Sequence, residues 1–173
     1  TGIVKTSPVV TIGTAGENNS TGRYIGLSVG RLGVTSYTLA ELESHPVVRI
    51  QDTEKSYFQF GYLSSGPIGL QLRPSGNGQK VAYNTFVGGH PIYCKIGVDL
   101  RTNGTGWVNE NKFYGLDCQT GSTEVAHLGS LHSVRFSTES GGEGLQNNNQ
   151  FHGPSFQNWF LPDDYEITVG LAP

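Results

Sequence analysis

Charge is scarce in this chain. Asp, Glu, Lys and Arg supply 14% of its 173 residues, against roughly a quarter in an ordinary soluble domain. The net charge is −3, and the 11 Lys and Arg stand spread along the sequence without a cluster. Nucleic-acid binding is therefore not expected, because phosphate recognition leans on grouped Lys and Arg. No apolar run approaches the ~18 residues of a spanning helix, so membrane insertion is not expected either. No signal peptide opens the chain. Methionine is absent even from position 1, and the expectation is a fragment or a processed product. Two cysteines, Cys94 and Cys118, are too few for a disulfide framework, and both buried thiols and a single bridge fit them.

The usual local motifs of chemistry are missing as well. His45, His90 and His152 lie far apart. His127 and His132 stand close together in sequence but without partner ligands, and there is no CxxC, so neither a metal nor another cofactor is expected. No G-x-S-x-G elbow marks a serine nucleophile.

What is present is glycine, at 25 residues, together with much Asn, Gln, Ser and Thr. Such residues suit turns and exposed strand faces, and they also suit carbohydrate recognition. A repeat organises them. Asn84-Thr85-Phe86-Val87-Gly88 returns as Asn111-Lys112-Phe113-Tyr114-Gly115 and again, after a longer interval, as Asn149-Gln150-Phe151-His152-Gly153. A second phrase, Ile68-Gly69-Leu70-Gln71-Leu72, returns as Ile96-Gly97-Val98-Asp99-Leu100, and its interval matches the first interval of the asparagine phrase to within one position. An earlier run, Ile25-Gly26-Leu27-Ser28-Val29, carries the same pattern. Two unrelated phrases with nearly equal spacing imply stacked coils. A coil of about 27 residues holds three short strands and their connections.

Within such a coil, Phe86, Phe113 and Phe151 are expected to point inward as successive rungs. Asn84, Asn111 and Asn149 are expected at corners, where asparagine tolerates left-handed backbone and bonds a neighbouring peptide group. The closing glycines admit a sharp bend. Residues 1–46 read as an N-terminal β segment that caps the stack or leads into it. Residues 47–173 read as the coils, ending in an aromatic cluster at 156–160. Thr38 and Glu41 fit a capping box for one helical turn, which Pro46 stops. Residues 137–149 read as an exposed excursion, the regular repeat plus about eleven residues.

The phrases Tyr83-Asn84-Thr85-Phe86, Lys95-Ile96-Gly97-Val98-Asp99-Leu100 and Gly106-Trp107-Val108-Asn109-Glu110-Asn111-Lys112-Phe113-Tyr114-Gly115 resemble the right-handed parallel β-helix of bacteriophage tail fibres and tailspikes. That resemblance implies an all-β solenoid, assembled as an intertwined or side-by-side homotrimer at the distal tail of a virion. It implies attachment to bacterial surface polysaccharide. Some members of the family also cleave that polysaccharide by hydrolysis or elimination, and others only bind.

A hydrolase needs two carboxylates across a groove, and Asp99, Glu110 and Asp117 are the candidates, with Asp52 behind them. A lyase would draw on Lys95, Arg101 and Arg135. Binding needs an aromatic platform and polar neighbours, for which Trp107, Tyr114, Trp159 and Asn103 are the candidates. Trp107 ranks first, because the polar loop Asn103-Gly104-Thr105-Gly106 precedes it. Three functions compete: a receptor-binding fibre segment, a depolymerase, and a carbohydrate-binding module of a secreted enzyme.

Overall fold

A computed structural model describes residues 10–13, 19–20, 24–33, 46–64, 66–120, 132–139 and 146–158. The expected helical turn at 38–43, Trp159, the loop at 121–130 and the residues beyond 158 lie outside them. The described residues are all β, without a helix. The first sheet sets β1 (Val10–Ile12), β4 (Pro46–Ile50), β7 (Ile68–Leu72), β10 (Ile96–Thr102) and β14 (His132–Thr138) side by side in that order. The second contains β2 (Asn19–Ser20), β5 (Thr53–Glu54), β8 (Lys80–Ala82) and β11 (Trp107–Asn109). The third runs from β3 (Tyr24–Gly33) through β6 (Tyr57–Ser64) to β9 (Thr85–Cys94). It continues as two short pairs, β12 (Lys112–Tyr114) with β15 (Gln150–His152), and β13 (Asp117–Thr120) with β16 (Ser155–Asn158).

Every pairing is parallel, and each strand lies beside its counterpart from the next circuit of chain. The repeated phrases are therefore spatial neighbours. Ile68 faces Ile96 and Phe86 faces Phe113 in register. The same arrangement extends N-terminal of position 47, since β1, β2 and β3 pair with β4, β5 and β6.

One expectation is overturned here. The run at Ile25 belongs to the third sheet, where Ile25 faces Phe58. The neighbours of the Ile68 run are instead Pro46-Val47-Val48-Arg49-Ile50 and the Ile96 run. An alternating Ile-Gly-Leu pattern specifies a strand buried on one face; it does not specify which sheet the strand joins.

Rows of like side chains fill the interior. Val48, Leu70, Val98 and Val134 form one row, and Ile50, Leu72, Leu100 and Phe136 form the next. In the third sheet Phe58, Phe86, Phe113 and Phe151 stack with ring centroids 4.9, 4.8 and 4.6 Å apart and planes within 12°. Those separations match the roughly 4.7–4.9 Å between paired strands, which dictates them. Each buried ring removes enough apolar surface to contribute about 1.5–3 kcal/mol.

The corner differs from expectation in one respect. Asn84 and Asn111 do sit there, fully buried, but the left-handed residue is the one before each asparagine. Tyr83, Glu110 and Asn148 have φ of 59°, 56° and 49°, and Lys55 before Ser56 has 50°. Such backbone costs a non-glycine residue about 1–2 kcal/mol, and the asparagine side chains offset it. Asn84 Nδ2 donates to the Thr53 carbonyl at 2.8 Å, Asn111 Nδ2 to Val81 at 2.9 Å, and Asn149 Nδ2 to Val108 at 2.8 Å. In return the backbone N–H groups of Ser56, Asn84 and Asn111 donate to Oδ1 of Asn84, Asn111 and Asn149 at 3.0, 3.2 and 3.2 Å. The closing glycines Gly88, Gly115 and Gly153 are left-handed, with φ of 69°, 63° and 59°, and they bend the third sheet.

Candidate functional site

The three candidate carboxylates do not share a face. Asp99 lies on the outer face of the first sheet, Glu110 at the corner between the second and third, and Asp117 on the third. Asp99 is fully buried and engaged. Glu110 Oε2 accepts from Asn148 Nδ2 at 2.6 Å across the corner. Asp52 is buried too, accepting from Ser75 N–H at 2.8 Å and Ser75 Oγ at 2.5 Å. Asn103 is occupied by its neighbour circuit, its Nδ2 donating to the Ser75 carbonyl at 2.9 Å. The Asn103 loop is thus itself repeated. It rests on the turn of residues 75–78, where Thr105 N–H donates to Asn77 Oδ1 and Thr105 Oγ1 accepts from Gly78 N–H. A Cβ on Gly104 would meet Asn77 Oδ1 at 2.1 Å, so the two turns nest. Trp107 and Tyr114 are exposed, at 43% and 39%.

On the outer face of the first sheet the scattered cations of the sequence do gather. Arg49, Gln71, Asp99 and Arg135 are register neighbours across four strands. Arg49 Nε donates to Gln71 Oε1 at 2.8 Å, and Gln71 Nε2 donates to Asp99 Oδ2 at 2.9 Å. Arg135 donates twice to the same carboxylate, from Nε at 3.0 Å and Nη2 at 3.2 Å, and Ser137 Oγ adds a bond of 2.8 Å. Beside them Arg73 grips Glu139 through Nε and Nη2 at 2.8 and 3.0 Å, and Arg101 Nε stands 3.2 Å from Glu139 Oε1. Four guanidiniums thus meet two carboxylates. Burial and then the Arg73 guanidinium press Arg49 down to about 10. The hydrogen bond from Arg73 holds Glu139 below its ordinary 4.5. One arginine per circuit looks scattered along a chain, and stacking makes a strip of it. Lys95 does not join the hydrogen bonds of that strip among the described residues.

The outer face of the third sheet carries rings and unsatisfied polar atoms. Tyr62 stacks on His90 with centroids 4.8 Å apart, and Tyr114 stacks on His152 at 4.6 Å. His152 Nε2 is 3.3 Å from Gln150 Oε1. His90 is different: Nδ1 stands 3.5 Å from Asp117 Oδ2, while His90 Nε2 and Asp117 Oδ1 are both buried without a hydrogen-bond partner among the described residues. Tyr62, half exposed at 51%, lies alongside. Sequence reasoning misses Tyr62 and His90 as site residues. The signal that could have found them is spacing, since Tyr62, His90 and Asp117 follow one another at the interval of the repeated phrases.

Cys94 and Cys118 are both fully buried thiols. Burial, then the neighbouring Cys94 and Asp117, push the Cys118 thiol well up. Because the thiolate is the reactive form, native protein at pH 8 is expected to leave a thiol reagent such as Ellman's almost unconsumed, with two equivalents reacting in denaturant. Rapid labelling of the native protein would contradict this burial.

Among the described residues no helix is long and apolar enough to cross a membrane, and no three His, Cys, Asp or Glu side chains gather as a metal site. The fold and its faces define an all-β protein of parallel sheets, with rings and hydrogen-bonding groups on the outside. No protein-family model, curated protein or solved structure matches the chain.

Proposed function

We propose that this chain is a right-handed parallel β-helix from a bacteriophage tail fibre or tailspike, a homotrimeric segment at the distal tail that attaches to bacterial surface polysaccharide. One observation carries the reading. The exposed large hydrophobic side chains among the described residues are all aromatic: Tyr62, Tyr83, Tyr93, Trp107 and Tyr114. Such rings offer sugars an apolar face and a polar edge, and here they sit among Asn, Gln, His and Asp side chains. The right hand is supported by the handedness of parallel crossover connections. The trimer and the virion are supported by the resemblance of the repeated phrases to phage β-helices.

Attachment is favoured over cleavage because Asp99 is tied down by Arg135, Gln71 and Ser137, and because Glu110 and Asp117 do not join it on one face. A glycan array of bacterial capsules and lipopolysaccharides, with analysis of released products, tests this. Binding without new reducing ends or unsaturated sugars is expected. Released oligosaccharide would make the chain a depolymerase instead, and absence of binding to every glycan would overturn attachment. Light scattering is expected to give three times the 18.6 kDa chain mass. A glycan-binding monomer would indicate a carbohydrate-binding module.

A further inference from the structure

His90 and Asp117 form an unfinished hydrogen-bonding site on the outer face of the third sheet. The chain's own stacking makes it: Tyr62, His90 and Asp117 come from three successive circuits and meet at one place. Two buried polar atoms, His90 Nε2 and Asp117 Oδ1, are left without partners there among the described residues. Buried polar atoms in folded proteins are nearly always satisfied, so two orphans on one contacting pair call for a missing partner.

The chemistry of that partner follows from the atoms. Asp117 Oδ2 stands 3.5 Å from His90 Nδ1, which favours the tautomer carrying the proton on Nδ1, because one ring nitrogen's contact sets the state of the other. Nε2 is then an acceptor, and a carboxylate oxygen is an acceptor only. Two acceptors on one pair require a ligand that presents two donors. A carboxylate, sulfate or phosphate presents none, whereas a sugar presents neighbouring hydroxyls. Tyr62, half exposed and stacked on His90, supplies an apolar surface for the C–H face of the same sugar ring.

We propose that His90 Nε2 and Asp117 Oδ1 clamp two hydroxyls of one neutral sugar residue seated against Tyr62. This deepens the glycan-attachment reading and rests on it, and it names the class of sugar taken: a neutral residue with two adjacent free hydroxyls.

The test uses the whole protein with its 5 histidines labelled at the ring carbon, titrated by NMR with methyl glycosides of neutral hexoses. Methyl glucuronoside and a glycoside methylated at both hydroxyls serve as comparators. One imidazole signal, assigned to His90 by its loss in His90→Gln, is expected to move and saturate with a neutral glycoside and to ignore the dimethylated one. Asp117→Asn removes the charge from one acceptor while keeping the shape, and is expected to weaken binding about tenfold or more, the usual worth of a hydrogen bond to a charged group. The wild-type titration stands by itself should either variant fail to fold. If glycans bind on the array while the His90 signal stays still, or if the glucuronoside binds as well as the neutral sugar, the clamp is wrong and attachment stands. If no glycan binds by either method, both fall.

Discussion

Asn111→Ala is expected to cost about 3–5 kcal/mol of stability, from the worth of buried hydrogen-bonding groups left unpaired. Asn111 is fully buried and ties three circuits together. Its Oδ1 accepts from the Asn84 N–H at 3.2 Å and from Asn84 Nδ2 at 3.1 Å. Its Nδ2 donates to the Val81 carbonyl at 2.9 Å and to Asn149 Oδ1 at 3.0 Å. Alanine removes all four bonds and offers their partners nothing in return. The loss is a large share of the roughly 5–15 kcal/mol that holds an ordinary domain folded. Asn111→Asp separates shape from hydrogen bonding. A carboxylate of the same outline still accepts, but it donates to neither Val81 nor Asn149 and brings a buried charge, so it is expected to be at least as damaging as alanine. Asn149→Ala, at the half-buried end of the ladder, is expected to cost less than Asn111→Ala. Urea midpoints at unchanged slope measure all three. An Asn111→Asp protein as stable as wild type would mean that the ladder's donors contribute nothing.

The parts of the fold that are legible in the sequence are those where one phrase carries both the corner and the rung. Asn84 with Phe86 and Asn111 with Phe113 declare themselves because the inward ring needs a like ring above it and the corner needs a like amide. Phe58 belongs to the same stack, yet it escapes, because Ser56 stands where asparagine would mark the phrase. The left-handed positions escape for a different reason. Tyr83, Glu110 and Asn148 share no side-chain property; their backbone is set by the bonds of the residue that follows. The outer faces are the least legible. Arg49, Arg73, Arg101 and Arg135, or Tyr62, His90 and Asp117, mean nothing at their sequence separations until circuits are laid side by side. In a stacked fold a functional cluster is one residue per repeat, so the search has to run at the repeat's own spacing.

The same stacking sets up the second large effect, on the arginine strip. Asp99→Ala is expected to destabilise the protein by about 3–5 kcal/mol, the usual result of breaking one side of a buried ion pair. Asp99 is 0% exposed and accepts from Arg135, Gln71 and Ser137 together. Without it, four guanidiniums share the single carboxylate of Glu139, and Arg135 loses the carboxylate that accepts from its Nε and Nη2. Replacing Asp99 and Arg135 together by leucine removes both charges, so it is expected to cost clearly less than Asp99→Ala plus Arg135→Ala. A double-mutant cycle reads that difference as coupling. Acid titration adds a signature for the other carboxylate. Arg73 holds Glu139 below its ordinary 4.5 in the folded chain, so the unfolded chain takes up that proton first as pH falls. The contribution of Glu139 is complete above 4.5 and is lost as pH drops through the lowered folded value. Glu139→Gln is therefore expected to flatten the fall in stability over that acid window and to leave the slope above pH 6 unchanged. Additive Asp99 and Arg135 costs, or an acid slope indifferent to Glu139→Gln, would mean that the strip's charges act independently.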